Sequence, residues 1–171
     1  MRIYLVGYMF SGKTTVGRKL AKRLGYAFKD TDQEMEERYR LSIPDFFNKY
    51  DELLFREFEH NILIELSRLD NVVISTGGGT PCYHDNMNLI KETGISVYLK
   101  MDVKSIHDRY QNSKKARPLL NKIPENEILS FFQNHLEKRE PFYQKADITV
   151  KGENADIDLI YRSIRSHPHM Q

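Results

Sequence analysis

Apolar and polar residues change their spacing along this chain in a regular alternation. Ile3 to Val6 is a short unbroken apolar run ending at Gly7, as expected of a strand covered on both faces in a parallel sheet. From about Lys13 the period lengthens: Val16, Leu20 and Leu24 share one helical face, while Arg18, Lys19, Lys22 and Arg23 fill the other. Gly25 stands where a left-handed C-terminal cap would close that helix. Tyr26 to Lys29 reads as a second strand, stopping at Asp30, Thr31 and Asp32.

Gln33 to Leu69 is mostly helical. Ser42 and Asp45 have capping-box spacing, Asp51 suits a second cap, and Phe55, Phe58, Ile62 and Leu66 form an apolar stripe that reads as core. Val72 to Ile74 is a β-branched strand running into Ser75, Thr76 and three glycines. A helix from about His84 to Gly94, a strand from Ile95 to Leu99 and a helix from Asp102 to Tyr110 follow. Gln111 to Pro124 is polar and basic with little periodicity, which suggests a mobile loop. Glu125 to about Arg139 is helical, Ile148 to Val150 a last strand and Ala155 to Ile164 a closing helix. This alternation predicts a three-layer α/β/α architecture around a five-stranded parallel sheet, in one domain over residues 1–171.

Composition narrows the partners. Twenty-six Lys plus Arg against 24 Asp plus Glu leave a net charge of +2, too small for a nucleic-acid coat or a membrane-surface binder. An anionic ligand must therefore be attracted locally. Cys82 is the single cysteine and has no intramolecular disulfide partner, so it reads as an inert small residue. No apolar window approaches the roughly 20 residues that cross a bilayer, and the N-terminus lacks a signal-peptide pattern. The expectation is a cytoplasmic protein. His60, His84, His107, His135, His167 and His169 show no metal-ligand spacing.

Gly7, four residues, Gly12, Lys13 and Thr14 match the phosphate-loop pattern, directly after a strand and before a helix. The spacing has a physical basis: backbone N–H groups turn inward around an anion, and the helix N-terminus adds roughly half a positive charge. Lys13 would reach the β and γ phosphates and the Thr14 hydroxyl would ligate Mg²⁺. Asp30 and Asp32 sit two apart at the carboxyl edge of strand two, where open α/β sheets bind ligands. A competing reading makes Asp32 the N-cap of the helix from Gln33. Gly77, Gly78 and Gly79 either expose backbone N–H groups to a closely approaching ligand or form a flexible turn. Tyr8 and Met9 would line an acceptor pocket or simply pack.

The chain resembles the shikimate kinases. The likeness is carried in order by Gly7 to Arg18, Asp30 to Asp32, Phe55 to Glu59, Gly77 to Gly79, Arg117 to Leu120 and Lys138 to Tyr143. It implies transfer of the ATP γ-phosphate to the 3-hydroxyl of shikimate, with Mg²⁺, in a monomer that binds neither nucleic acid nor membrane. Carried over residue by residue, Phe10, Ser11, Gly12, Lys13, Thr14 and Thr15 cradle ATP, Arg109 stacks on adenine, Thr14 holds the metal and Asp30 reaches it through water. Asp32 orients the acceptor hydroxyl, Arg56 and Arg139 clamp the shikimate carboxylate beside Gly78, and Glu59 orients Arg56. Arg117, with Lys13 and Asp32 a catalytic residue, neutralises charge on the moving phosphoryl group from a lid over residues 112–124, and residues 33–61 form the substrate segment.

Each cation has a plainer alternative. Arg56 could be a surface residue paired with Glu52 or Glu59, Arg139 a cation at a helix C-terminus, Arg117 a solvated loop charge and Arg109 an ordinary helix end. The chain departs from the family at Phe10, where glycine is usual, and over Lys151 to Asp156, where no proline faces the adenine. The backbone at Phe10 is expected to take a conformation acceptable to a side chain, with the ring near the nucleotide. A gluconate-type or nucleotide kinase of the same fold, or an inactive nucleotide-binding regulator, remain the competing functions.

Overall fold

The apolar run at the N-terminus forms β1 (Arg2–Val6), whose last four residues are buried. In the computed structural model, which describes residues 1–113, 120 and 122–168, the sheet has the strand order β2-β3-β1-β4-β5, all parallel. The partners are β2 (Ala27–Asp30), β3 (Val72–Ser75), β4 (Ile95–Lys100) and β5 (Ile148–Lys151). Alternation sorts the central strand between two cores. Tyr4 and Val6 face one side with Ile74 and Tyr98, and Ile3 and Leu5 face the other with Val73 and Val97.

The second of these faces is aliphatic and is covered by α1 (Lys13–Leu24) and α8 (Ile157–Arg165), through Val16, Leu20, Ile160 and Ile164. The first is rich in aromatic rings. It receives α2 (Thr31–Tyr39), α3 (Ile43–Lys49), α4 (Glu52–Leu66), α5 (Asn86–Thr93), α6 (Val103–Gln111) and α7 (Ile128–Tyr143). The expected stripe on α4 is core at Phe55, Ile62 and Leu66, with Phe58 half-buried against it. The three-layer architecture read from the sequence is therefore the one observed.

Caps explain most boundaries. Ser42 accepts the Asp45 N–H at 3.2 Å while its own hydroxyl donates to the Asp45 carboxylate at 2.6 Å, and Asp51 caps α4 through the Leu54 N–H. Gly25, at φ 70°, closes α1 as expected. Several ends move. The helix expected from His84 begins at Asn86, because a 3₁₀ turn (Thr80–Cys82) and positive φ at His84 and Asp85 intervene. The one expected over 125–139 begins at Ile128 after another 3₁₀ turn and runs through Pro141 to Tyr143. Of the loop expected over 111–124, Gln111 instead ends α6, Leu120 is buried, and residues 114–119 and 121 lie outside the described residues.

The turn out of β1 fixes where the site lies. Gly7 has φ 144°, a region essentially closed to side chains, and a β-carbon there would stand 2.8 Å from the Leu99 carbonyl oxygen. Gly7→Ala should therefore lower unfolding stability by roughly 2 to 3 kcal/mol, from backbone strain plus overpacking. A urea titration checks this; an unchanged midpoint would show that the turn can relax.

Candidate active site

The carboxyl ends of β1, β2 and β3 meet at the phosphate loop. The Ser11 N–H closes a turn onto the Tyr8 carbonyl at 3.2 Å, and Gly12, at φ 87°, leads into α1 without a side chain to cap its first turn. Those N–H groups are thus left for an anion. Lys13 is 8% exposed, and its Nζ donates to the Gly7 and Tyr8 carbonyls, each at 2.8 Å, and to Ser11 Oγ at 3.4 Å. Thr14 Oγ1 donates to Asp30 Oδ2 at 2.8 Å.

Phe10 departs from the simple expectation for a residue with a side chain. Its φ of 65° lies in the left-handed region, which costs such a residue about 1–2 kcal/mol. Its ring meets Tyr110 edge-on at 6.0 Å and Phe132 at 6.3 Å. Pairs of this kind return about 0.5–1.5 kcal/mol each, enough to offset the strain.

The cap falls on Asp30 and not, as the competing reading had it, on Asp32. Strand β2 runs on to Asp30, so Asp30 caps α2, accepting the Asp32 N–H at 3.1 Å and the Gln33 N–H at 3.5 Å. Asp32 lies in the first helical turn and does not cap. The strand-period argument for pairing the two therefore fails, yet both line one cleft of about 390 Å³ with Lys13, Thr14, Thr76 and Gly78. An adjoining cleft of about 540 Å³ shares Gly12, Thr15 and Arg109 with it and is closed by Gly152, Asn154 and Ile157. Arg109 is more than an ordinary helix end. Its Nη1 donates to the Phe10 carbonyl at 2.8 Å and its Nη2 to the carbonyls of Gly152 and Glu153 at 3.1 and 3.0 Å.

Beyond Gly78 the glycine loop runs between two guanidinium groups. A β-carbon on Gly79 would stand 2.5 Å from Arg56 Nη1, one on Gly78 would stand 3.5 Å from Arg139 Nη1, and one on Gly77 would stand 2.7 Å from Asp32 Oδ1. Close approach explains Gly77 and Gly79, whereas a β-carbon on Gly78 would make only ordinary contacts. Arg56 makes the Glu52 and Glu59 pairs of its plainer reading but is 6% exposed and so no surface residue, while Arg139, 9% exposed, stands one turn before the end of α7. Glu59, 1% exposed, accepts Arg56 Nη1 at 2.8 Å and the Thr80 hydroxyl at 2.5 Å, while Glu52 accepts Arg56 Nη2 at 3.2 Å. Burial pulls the Arg56 pKa down, but Glu59 and the Tyr83 and Glu52 contacts outweigh it, so the guanidinium ends above its ordinary value.

Several supports carry no local sequence signal. The Tyr143 hydroxyl donates to the Gly78 carbonyl at 2.5 Å, Thr31 Oγ1 accepts the Gly77 N–H at 2.8 Å, and Tyr83 stacks on Arg56 with 4.2 Å to its ring centroid. Tyr8 is 1% exposed and packs, whereas Met9 lines the cleft. Cys82 is a free thiol pushed up to about 11 by burial. Arg117 lies outside the described residues.

Among the described residues no cluster of three His, Cys, Asp or Glu could hold a metal by itself. The hydroxyl and carboxylate of Thr14 and Asp30 beside the phosphate loop instead fit Mg²⁺, which takes oxygen donors and keeps phosphates and water in its shell.

A phosphate loop whose cleft runs to Gly77 and Gly78, with Arg139 beside Gly78 and Arg56 beside Gly79, fits a P-loop kinase of small molecules. The family model for shikimate kinase matches residues 9–167, and the chain belongs to that family. It is 45% identical over 152 residues to a shikimate kinase of Parabacteroides distasonis, covering 89% of this chain and 88% of that one. The crystal structure of shikimate kinase from Bacteroides thetaiotaomicron superposes with a TM-score of 0.89 at 37% identity, covering 96% of each chain. The enzyme from Acinetobacter baumannii, solved in complex with shikimate, gives 0.84 at 35% identity, covering 96% of this chain and 90% of that one. The activity is accordingly ATP- and Mg²⁺-dependent phosphorylation of shikimate at its 3-hydroxyl, yielding shikimate 3-phosphate and ADP for aromatic amino acid synthesis. The gluconate-type, nucleotide-kinase and inactive-regulator readings fall away.

His135 on α7 is a further group whose surroundings move its pKa. His135 Nδ1 lies 2.7 Å from the Tyr8 hydroxyl, and burial, followed by the charges of Arg139, Lys138 and Arg56, lowers its pKa from 6.5 to about 4. The unfolded chain therefore binds the extra proton first. The stability owed to the neutral ring is fully present above about pH 6.5 and is lost as pH falls toward about 4. Melting temperatures at about pH 7 and about pH 5 should differ more for the wild type than for His135→Gln; equal differences would place the acid sensitivity elsewhere.

Proposed function

We propose that this chain performs the family reaction with shikimate lying along the Gly77 to Gly79 loop, its carboxylate between Arg56 and Arg139 and its hydroxyls toward Asp32. The observation that carries this reading is the convergence of Arg56, Arg139 and Asp32 on three successive glycines. A planar guanidinium matches a carboxylate bidentately, and two of them recognise a small acid by charge and direction together.

Glu59 is buried and holds Arg56 in place, whereas the Glu52 side chain is 57% exposed. Glu52 reaches the buried Arg56 from a largely solvated position, so it can return to water when a substrate carboxylate takes its place. At the other end Lys13, the loop N–H groups and Thr15 hold the triphosphate, and Thr14 with Asp30 hold Mg²⁺, Asp30 through water. The ion neutralises charge between the phosphates. Asp32 accepts the proton of the attacking hydroxyl and aims its oxygen at the γ-phosphorus. Arg109 flanks the adenosine, and Arg117 neutralises the moving phosphoryl group.

The same reading makes the chain a cytoplasmic, monomeric single domain, with residues 33–61 as substrate segment and 112–124 as lid. No helix among the described residues is long and apolar enough to cross a membrane.

Coupled ADP release tests these roles. Asp32→Asn should lower kcat about 100-fold or more with a smaller change in shikimate KM, as expected for a general base. Arg139→Lys should raise shikimate KM about tenfold and leave ATP KM unmoved. Wild-type constants for Arg139→Lys would remove it from the clamp. Arg117→Ala should lower kcat more than it raises shikimate KM; a pure KM effect would refute its catalytic role.

A further inference from the structure

We infer that Phe10 is a positioning residue for the nucleotide: its ring, clasped between α6 and α7, holds the phosphate loop in a left-handed turn that its backbone would otherwise leave. This rests on the reading that the loop binds the triphosphate and adds a determinant specific to this chain.

The rings form a closed triangle. Phe10 meets Tyr110 at 6.0 Å and Phe132 at 6.3 Å, and these two meet each other at 5.6 Å, each pair with interplanar angles of 71–76°. Tyr110 stands near the end of α6 and Phe132 in the first half of α7. The backbone is tied to the same helix, since the Phe10 carbonyl accepts Arg109 Nη1 at 2.8 Å. Tyr8, two residues earlier, also meets Phe132 at 6.1 Å. The first half of the loop is therefore anchored by rings, whereas such loops more often rely on glycine alone.

A side chain at φ 65° is a liability unless its contacts hold it there. Glycine at this position would tolerate the turn but also many others. The apparent affinity for nucleotide falls by the fraction of molecules that hold the competent loop. The ring thus substitutes packing for conformational permissiveness, and its effect is confined to nucleotide binding, because none of its ring partners belongs to the shikimate clamp.

Calorimetric titration with ADP and Mg²⁺, alongside steady-state kinetics, tests this. Phe10→Gly should weaken ADP about fivefold and Phe10→Ala about twentyfold, since alanine keeps the strain without the ring. Shikimate KM should stay within about twofold. Tyr110→Phe, which keeps the ring, should bind as wild type, and Tyr110→Ala should weaken ADP without adding to Phe10→Gly in the double variant. Wild-type or tighter ADP binding by Phe10→Gly, or full additivity in the double variant, would overturn the inference. If Phe10→Ala does not fold, as judged by circular dichroism, Tyr110→Ala carries the test. Unaltered nucleotide binding by Lys13→Ala would instead overturn the phosphate-loop reading itself.

Discussion

Three cations are kept out of water along one edge of the sheet, and most of the surrounding structure serves to hold them. Burying an ion costs several kcal/mol unless it is well partnered. Lys13 is bracketed by two carbonyls and the Ser11 hydroxyl, whereas Arg56 is held by buried Glu59, by Glu52 and by the face of Tyr83. Arg139 sits one turn before the end of α7, beside Gly78, with the buried ring of Tyr143 close by. Glu59 is a buried carboxylate among these partners, and the cations gathered here offer a local attraction for anions that the net charge of +2 does not. A nearly neutral protein can thereby present locally gathered cations to a carboxylate and a triphosphate.

The sheet and the order of its helices were legible because their signals are local. An unbroken apolar run, a change of period from two to about 3.6, and a cap residue each depend on a few neighbouring positions. The phosphate loop was legible for the same reason: its spacing is set by how tightly a turn can wrap an anion. Helix starts were read less well. Asp30 rather than Asp32 caps α2, because pairing with β3 carries β2 one residue further than its apolar pattern suggests.

The assembled site was legible only in part. Asp32 and Arg139 are more than a hundred residues apart, and no periodicity announces that both approach one glycine loop; the family resemblance supplied that link. Support residues such as Thr31, Thr80 and Tyr143 act across 46, 21 and 65 positions, and although Thr31 and Tyr143 fall inside the family motifs, nothing local names the partners of any of the three. Phe10 is the opposite case. It was visible as a departure, but its backbone angle and ring partners depend on α6 and α7 and could not be read from the loop itself.

Arg109 joins regions that are made at very different times. Its guanidinium holds the carbonyl of Phe10 on one side and those of Gly152 and Glu153 on the other. During synthesis, which proceeds from the N-terminus, the phosphate loop and α1 emerge early, but the wall of the nucleoside cleft waits for β5 and the turn that follows it. A nascent chain therefore carries the loop for most of its elongation without the finished nucleotide site, and ATP can begin to stabilise the fold only after nearly nine-tenths of the chain has been made.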